Sequence, residues 1–229
     1  MLAAGVATED GAYLLLDAKG LFWFADQVNV AKNAFSGKTV KLAANIDLAN
    51  AAWTPVGQTG ATQFMGTFDG QGKTISNLNI DVTAQTGGNY SSGLFGWLNA
   101  ATVKNVNVNY ATVKGNHNVA VIAGYLETSG CSVINCHVEN AALECHVAND
   151  DANGDKCAVI VAYANNAGVL VKDCTAKNST VSAGRDAGQV VGAAKTDYVV
   201  NCSATNVTVT ANGEGTGKNI RNEVIGRVL

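Results

Sequence analysis

One short segment recurs along the chain with its phase preserved, and this recurrence narrows the fold more than any other feature. Gly93-Leu94-Phe95-Gly96-Trp97-Leu98 returns as Val121-Ile122-Ala123-Gly124-Tyr125-Leu126, then as Val159-Ile160-Val161-Ala162-Tyr163-Ala164 and Gln189-Val190-Val191-Gly192-Ala193-Ala194. A partial copy follows at Glu223-Val224-Ile225-Gly226-Arg227-Val228. Measured from Gly96 to Gly124, Ala162, Gly192 and Gly226, the successive steps are 28, 38, 30 and 34 residues. Self-similarity at such a period is the mark of a repeat architecture. A second element keeps step with the first: Ile75-Ser76-Asn77-Leu78, Val103-Lys104-Asn105-Val106, Val133-Ile134-Asn135-Cys136, Val171-Lys172-Asp173-Cys174 and Val199-Val200-Asn201-Cys202. A third is seen as Ala111/Val113, Ala141/Leu143, Ser179/Val181 and Val207/Val209.

Each period therefore holds three short strands, with no stretch long enough for the helix of a βαβ crossover. Three strands per turn in constant phase predict an all-β chain folded as a parallel β-helix. Each strand then pairs with its counterpart one coil on, about 4.8 Å away. The strong preference of parallel crossovers for one hand predicts a right-handed coil. An insertion at 146–156, rich in Asp, Asn and Gly, accounts for the long step of 38. Alternation predicts that Leu94/Gly96/Leu98 and their counterparts point inward, where a narrow coil accepts only small or aliphatic groups. Asn77, Asn105, Asn135, Asp173 and Asn201 are expected at one position beside a bend. Asparagine tolerates left-handed backbone there, and stacked amides can hydrogen-bond from coil to coil.

Composition agrees with tight stacking and removes other classes. Of 229 residues, 14% are charged and one is proline, against about 25% charged in an average soluble domain. A hydrophobic content of 47%, mostly Ala and Val, argues against disorder, which goes with few apolar residues. The net charge of −3 is not concentrated into any basic patch, so no nucleic-acid partner is expected. No apolar run reaches the length of a membrane-spanning helix. Met1-Leu2-Ala3-Ala4-Gly5 is too short and too uncharged for a secretory signal.

The beginning of the chain reads differently. Asp17 is a good N-cap for a helix over about 18–31, with Leu21, Phe24/Ala25 and Val28 at helical spacing. Strands are expected at Thr39–Leu42 and Gly66–Phe68, with a turn at Asp69-Gly70. An exposed coil end is an adhesive edge, so solenoids cover it. Residues 1–60 are accordingly read as an N-terminal cap and 61–229 as the β-helix repeats.

These segments also carry a family resemblance. Leu21-Phe22-Trp23-Phe24-Ala25, Thr39-Val40-Lys41-Leu42-Ala43-Ala44-Asn45-Ile46-Asp47-Leu48 and Trp53-Thr54-Pro55-Val56-Gly57 precede Gly66-Thr67-Phe68-Asp69-Gly70-Gln71-Gly72-Lys73-Thr74-Ile75-Ser76-Asn77-Leu78 and Gly93-Leu94-Phe95-Gly96. This order resembles the GLUG-motif proteins, bacterial surface or secreted proteins with right-handed β-helical repeats. The later repeats depart from the motif, with Ala162 where it has Gly. The resemblance implies an extracellular or cell-surface setting and adhesin-like roles within larger polypeptides. It implies no common reaction and supplies no catalytic residue.

Cys136, Cys174 and Cys202 share a position with Leu78 and Val106, which marks them as small buried hydrophobes; Cys145 and Cys157 flank the insertion, where a bridge is the alternative to free thiols. No zinc site is expected, because Cys-x-x-Cys is missing and His117, His137 and His146 lack ligand spacing. Asn149-Asp150-Asp151-Ala152-Asn153-Gly154-Asp155 has the alternating oxygens of a calcium loop, but Ile160 stands where the closing acid belongs. A solvated polar loop is expected, and no metal or cofactor. The acids are scattered and give no paired carboxylates on adjacent coils, so no catalytic residues are assigned. Trp97, Tyr125 and Tyr163 share one outward position on three turns, followed by Ala193 and Arg227. Such a ladder can stack on sugar rings or anchor a protein, or can itself be covered by a strand, the cap or a neighbouring domain.

The expectation is a non-enzymatic extracellular adhesion or ligand-presenting module. Its ligand would be a glycan or a surface protein, and the chain would act as a monomer or as part of a larger surface polypeptide. The alternatives are a carbohydrate-active enzyme, either a polysaccharide lyase or a hydrolase, and a purely structural stalk.

Overall fold

Short β-branched runs separated by asparagine and glycine bends give strands too brief to bury a face alone, and they gain stability by stacking. The computed structural model describes residues 3–85, 90–146, 156–214 and 219–229. It is a β-solenoid of about seven turns with one helix near the N-terminus. One central coil illustrates the path. Thr102–Lys104 lies in the first sheet and Asn107–Gly115 in the second. The two-residue strand Asn118–Val119 forms the third, and Ala123–Leu126 lies in the fourth. The three main strands of each turn match expectation, with the two-residue strand added at a corner. The sheets hold eight, six, three and five strands. Every pairing is parallel except Val6–Glu9 with Ala12–Leu15 at the N-terminal end.

The Asp17 carboxylate accepts the Gly20 N–H at 3.0 Å and caps helix α1, Ala18–Asn29. Its buried face is Gly20, Leu21, Phe24, Ala25 and Val28. A Cβ at Gly20 would lie 2.1 Å from the Gly5 carbonyl oxygen, so only glycine allows that approach. Phe24 enters the open end of the coil and meets Phe35, Phe64, Phe68 and Phe95, with ring centroids 5.2, 5.4, 5.7 and 6.2 Å away. Beyond this aromatic plug the core is aliphatic, built from Val, Ile, Leu and Ala with buried Cys.

Left-handed backbone turns the corners. Asn105, Asn135, Asp173 and Asn201 have φ between 51° and 55°, and form one column between the first and second sheets. Asn77 is not part of it. Thr74 pairs with Asn107 and Leu78 with Ala111, which places Asn77 beside Tyr110 in a second column with Asn140, Asn178 and Asn206, in the middle of the second sheet. Leu78 correspondingly leaves the cysteine column, which runs through Val106, Cys136, Cys174 and Cys202. In both columns the amide of the later coil donates to the earlier one. Asn105 donates to Asp69 at 3.0 Å and Asn135 to Asn105 at 2.8 Å. Asn77 likewise donates to Asp47, Asn140 to Asn109, Asn178 to Glu139 and Asn206 to Asn178.

All six cysteines are free thiols. Cys136, Cys174 and Cys202 donate to carbonyls of their own coils, those of Ile134, Lys172 and Val200. The neighbouring thiol of Cys136 and burial push the Cys174 thiol up to about 12, which withholds the reactive thiolate. Cys145 donates to the His117 carbonyl at 3.2 Å. In the fourth sheet, strict alternation fails: Phe95 and Leu98 are both fully buried. The glycine column faces the third sheet rather than the interior, since a Cβ at Gly124 would lie 3.0 Å from the Asn118 carbonyl.

Candidate functional site

Parallel pairing copies each position one coil along, so a residue type repeated in phase becomes a surface column. Trp97 is opposite Tyr125, Tyr125 opposite Tyr163, Tyr163 opposite Ala193 and Ala193 opposite Arg227. The three aromatic residues expected together are together. Trp97 meets Tyr125 edge-on at 4.7 Å, and Tyr125 stacks on Tyr163 at 5.1 Å with planes 15° apart. The Lys156 ammonium lies over the Tyr163 ring, 4.5 Å from its centroid, a cation–π contact. The Tyr125 and Tyr163 ring faces are thus turned along the solenoid axis and filled by one another, by Trp97 and by Lys156. What the column presents outward is ring edge and phenol hydroxyl. Asn166 donates to the Tyr125 hydroxyl at 3.3 Å and Asn165 to that of Tyr163 at 2.9 Å. Burial pushes the Tyr125 phenol above its ordinary range. Trp97 is 9% exposed and the two tyrosines are part-buried.

A second surface lies on the outer face of the second sheet, whose strands of eight or nine residues are the longest in the molecule. Val108, Ala111 and Val113 point inward while Asn107, Asn109 and Thr112 point outward. The left-handed residue between positions 109 and 111 adds one extra outward side chain in each coil. A groove of about 520 Å³ lies on one side of that bend, lined among others by Thr74, Asn107, Asn109, His137, Glu139 and Thr175. His137 Nδ1 bonds the Thr175 hydroxyl at 2.8 Å and Nε2 bonds Asn135 at 3.0 Å. Burial, with Lys177 close by, holds the His137 imidazole below its usual range, so it is neutral at physiological pH. Glu139 accepts from Asn178 at 2.9 Å and is the one carboxylate among the lining residues. A shallower depression of about 350 Å³ lies across the bend, beside Tyr110.

Tyr110 was not among the expected site residues. The signal was present in the repeats, because Asn109-Tyr110-Ala111 aligns with Glu139-Asn140-Ala141, Lys177-Asn178-Ser179 and Thr205-Asn206-Val207. Seeing it requires the two asparagine columns to be separated first. Among the described residues no group of three or more His, Cys, Asp or Glu is placed to hold a metal ion. The calcium-like stretch Asn149–Asp155 lies outside the described residues. No described helix is long and apolar enough to cross a membrane.

No family model matches this chain. Halomucin of Haloquadratum walsbyi is 33% identical over 101 residues, which cover 40% of this chain. The matched stretch spans about 1% of that relative's length. A solved structure from Bacteroides ovatus, described as a candidate immunoglobulin A1 protease, aligns with a TM-score of 0.49 at 17% identity, over 92% of this chain and 85% of the other.

Proposed function

We propose that this chain is an extracellular, non-enzymatic β-helical module that presents a ligand-binding face, in the manner of an adhesin, and that the GLUG resemblance reflects common descent. The observation that carries the reading is the outer face of the second sheet. It is broad, and its groove is lined by amides, hydroxyls and the His137 imidazole, with Glu139, Lys177 and two valines among them. Such a surface offers many weak directional contacts and little driving force for collapse onto a hydrophobic partner. A glycan or the polar face of a surface protein is the kind of ligand it suits. The edges and hydroxyls of Tyr125 and Tyr163, with Trp97 beneath them, form a second candidate contact surface.

Adhesion of the fluorescently labelled chain to mucin-coated and polysaccharide-coated beads tests the reading. Three proteins are compared: wild type, Asn107→Ala/His137→Ala/Thr175→Ala, and Trp97→Ala/Tyr125→Ala/Tyr163→Ala. Wild-type binding lost in the groove variant is the expected outcome. Loss in the aromatic variant alone moves the ligand to the column, and no wild-type binding to any surface removes the reading. The same polysaccharides, incubated with the chain, should release neither new reducing ends nor unsaturated products. Product formation abolished by Glu139→Gln would establish a carbohydrate-active enzyme instead.

A further inference from the structure

In the second left-handed column four of five residues are asparagine, and each reaches back to the preceding coil with its amide. The fifth is Tyr110, with φ of 57° and 57% of its surface exposed. Left-handed backbone disfavours an aromatic residue, and an exposed ring gains nothing from burial. Among the described residues its phenol makes no hydrogen bond and its ring meets no other ring. The fold therefore accepts strain at a side chain that stays mostly exposed, and such strain gathers at binding sites.

The surroundings define what would fit. The depression beside the ring is lined by Asn50, Thr112, Asn140, Asn178 and Thr180, with small alanines between them, and by no charged side chain. Thr112, Ala142, Thr180 and Thr208 follow one another coil by coil. Their step of about 4.8 Å is close to the length of one pyranose residue, so a chain of sugars laid along the solenoid axis meets the same groups at each residue. On this face Glu139 accepts from Asn178, and Lys114 is paired with Glu144 at 3.0 Å. The depression itself is lined by no charged side chain, although exposed Lys177 adjoins Asn178.

We infer that Tyr110 is the stacking platform of a binding site for a neutral glycan chain, running along the second sheet and hydrogen-bonded by Asn140, Asn178, Thr112 and Thr180. This rests on the ligand-presenting reading above and assigns its ligand class. A sugar ring has one apolar C–H face, which packs on an exposed aromatic face, and a rim of hydroxyls that amides and threonines satisfy.

The test uses wild type, Tyr110→Asn and Tyr110→Phe on an array of neutral gluco-, manno-, galacto- and xylo-oligosaccharides, with sulfated and uronic-acid glycans alongside. Tyr110→Asn installs the residue its column neighbours carry, so its melting temperature should equal or exceed that of wild type, and lost binding cannot reflect lost fold. The expected result is wild-type binding to at least one neutral series, retained by Tyr110→Phe and weakened roughly tenfold or more by Tyr110→Asn. Equal binding by wild type and Tyr110→Asn overturns the site, as does wild-type binding confined to charged glycans. If the labelled chain adheres to the beads yet binds no neutral glycan, this inference falls while the ligand-presenting reading stands. If it adheres to nothing, both fall.

Discussion

Seven of the nine left-handed residues in the two central columns are asparagine, and the exceptions are instructive. Asp173 accepts from Asn201 at 2.6 Å, and Asp69 and Asp47 likewise accept from Asn105 and Asn77. An amide run that donates backward starts on an acceptor, a carboxylate in most of these runs and the Asn109 amide oxygen in one. Burial acts to raise the Asp69 pKa, but the Asn105 amide, the Gln71 N–H and side chain, and Lys104 together hold it below the ordinary aspartate range. The folded state then binds fewer protons than the unfolded one between the two values, so this contribution is present at neutral pH. It is lost as pH falls below about 4, the unfolded value, and through the folded one. Asp47 and Asp81 shift the same way. Urea melts at stepped pH should show stability declining below about pH 4, with a shallower decline and lower neutral-pH stability in Asp69→Asn. An unchanged acid limb in that variant would remove Asp69 from the account.

At the scale of elements, the parts most legible in the sequence are those that parallel pairing repeats. The strand Thr39–Leu42 was expected at its observed ends. The order Trp97, Tyr125, Tyr163, Ala193, Arg227 follows from phase alone and is the observed register. The helix was placed by its cap and spacing, ending two residues earlier than expected. Asn77 was misplaced for a physical reason. Ile75-Ser76-Asn77-Leu78 and Val103-Lys104-Asn105-Val106 obey one local rule, inward, outward, left-handed, inward, and only the sheet pairing separates the two corners. The fate of the ring faces was not legible either, because a column's phase says nothing of how its rings tilt. Helix α1 makes its own prediction: Phe24 is the side chain that closes the coil end, touching four other phenylalanines. Phe24→Ala should cost about 3–5 kcal/mol by urea denaturation and promote concentration-dependent association measurable by light scattering. A loss below about 1 kcal/mol would mean the plug is dispensable.

Across the whole molecule, stability is approximately a sum over coils and their interfaces, as in other solenoids. Removal of 102–131 joins Ala101 to Ser132, whose N–H already bonds the Ala101 carbonyl at 2.9 Å. It also brings the coil of Trp97 against the coil of Tyr163. The shortened chain should fold, keep its β-type circular dichroism and place Trp97 on Tyr163, seen as a change in tryptophan emission. A disordered product would show that the coils are not interchangeable units.

The one-way amide columns have a further consequence. Each later coil supplies donors, and each earlier coil already holds the acceptors. A nascent chain emerges in that same order, so every new coil meets a finished template below it, starting from the surface that helix α1 and the phenylalanine plug have closed. The bond direction gives the rod a sense of growth as well as a sense of stacking: assembly can proceed vectorially, with each layer printed from the one before.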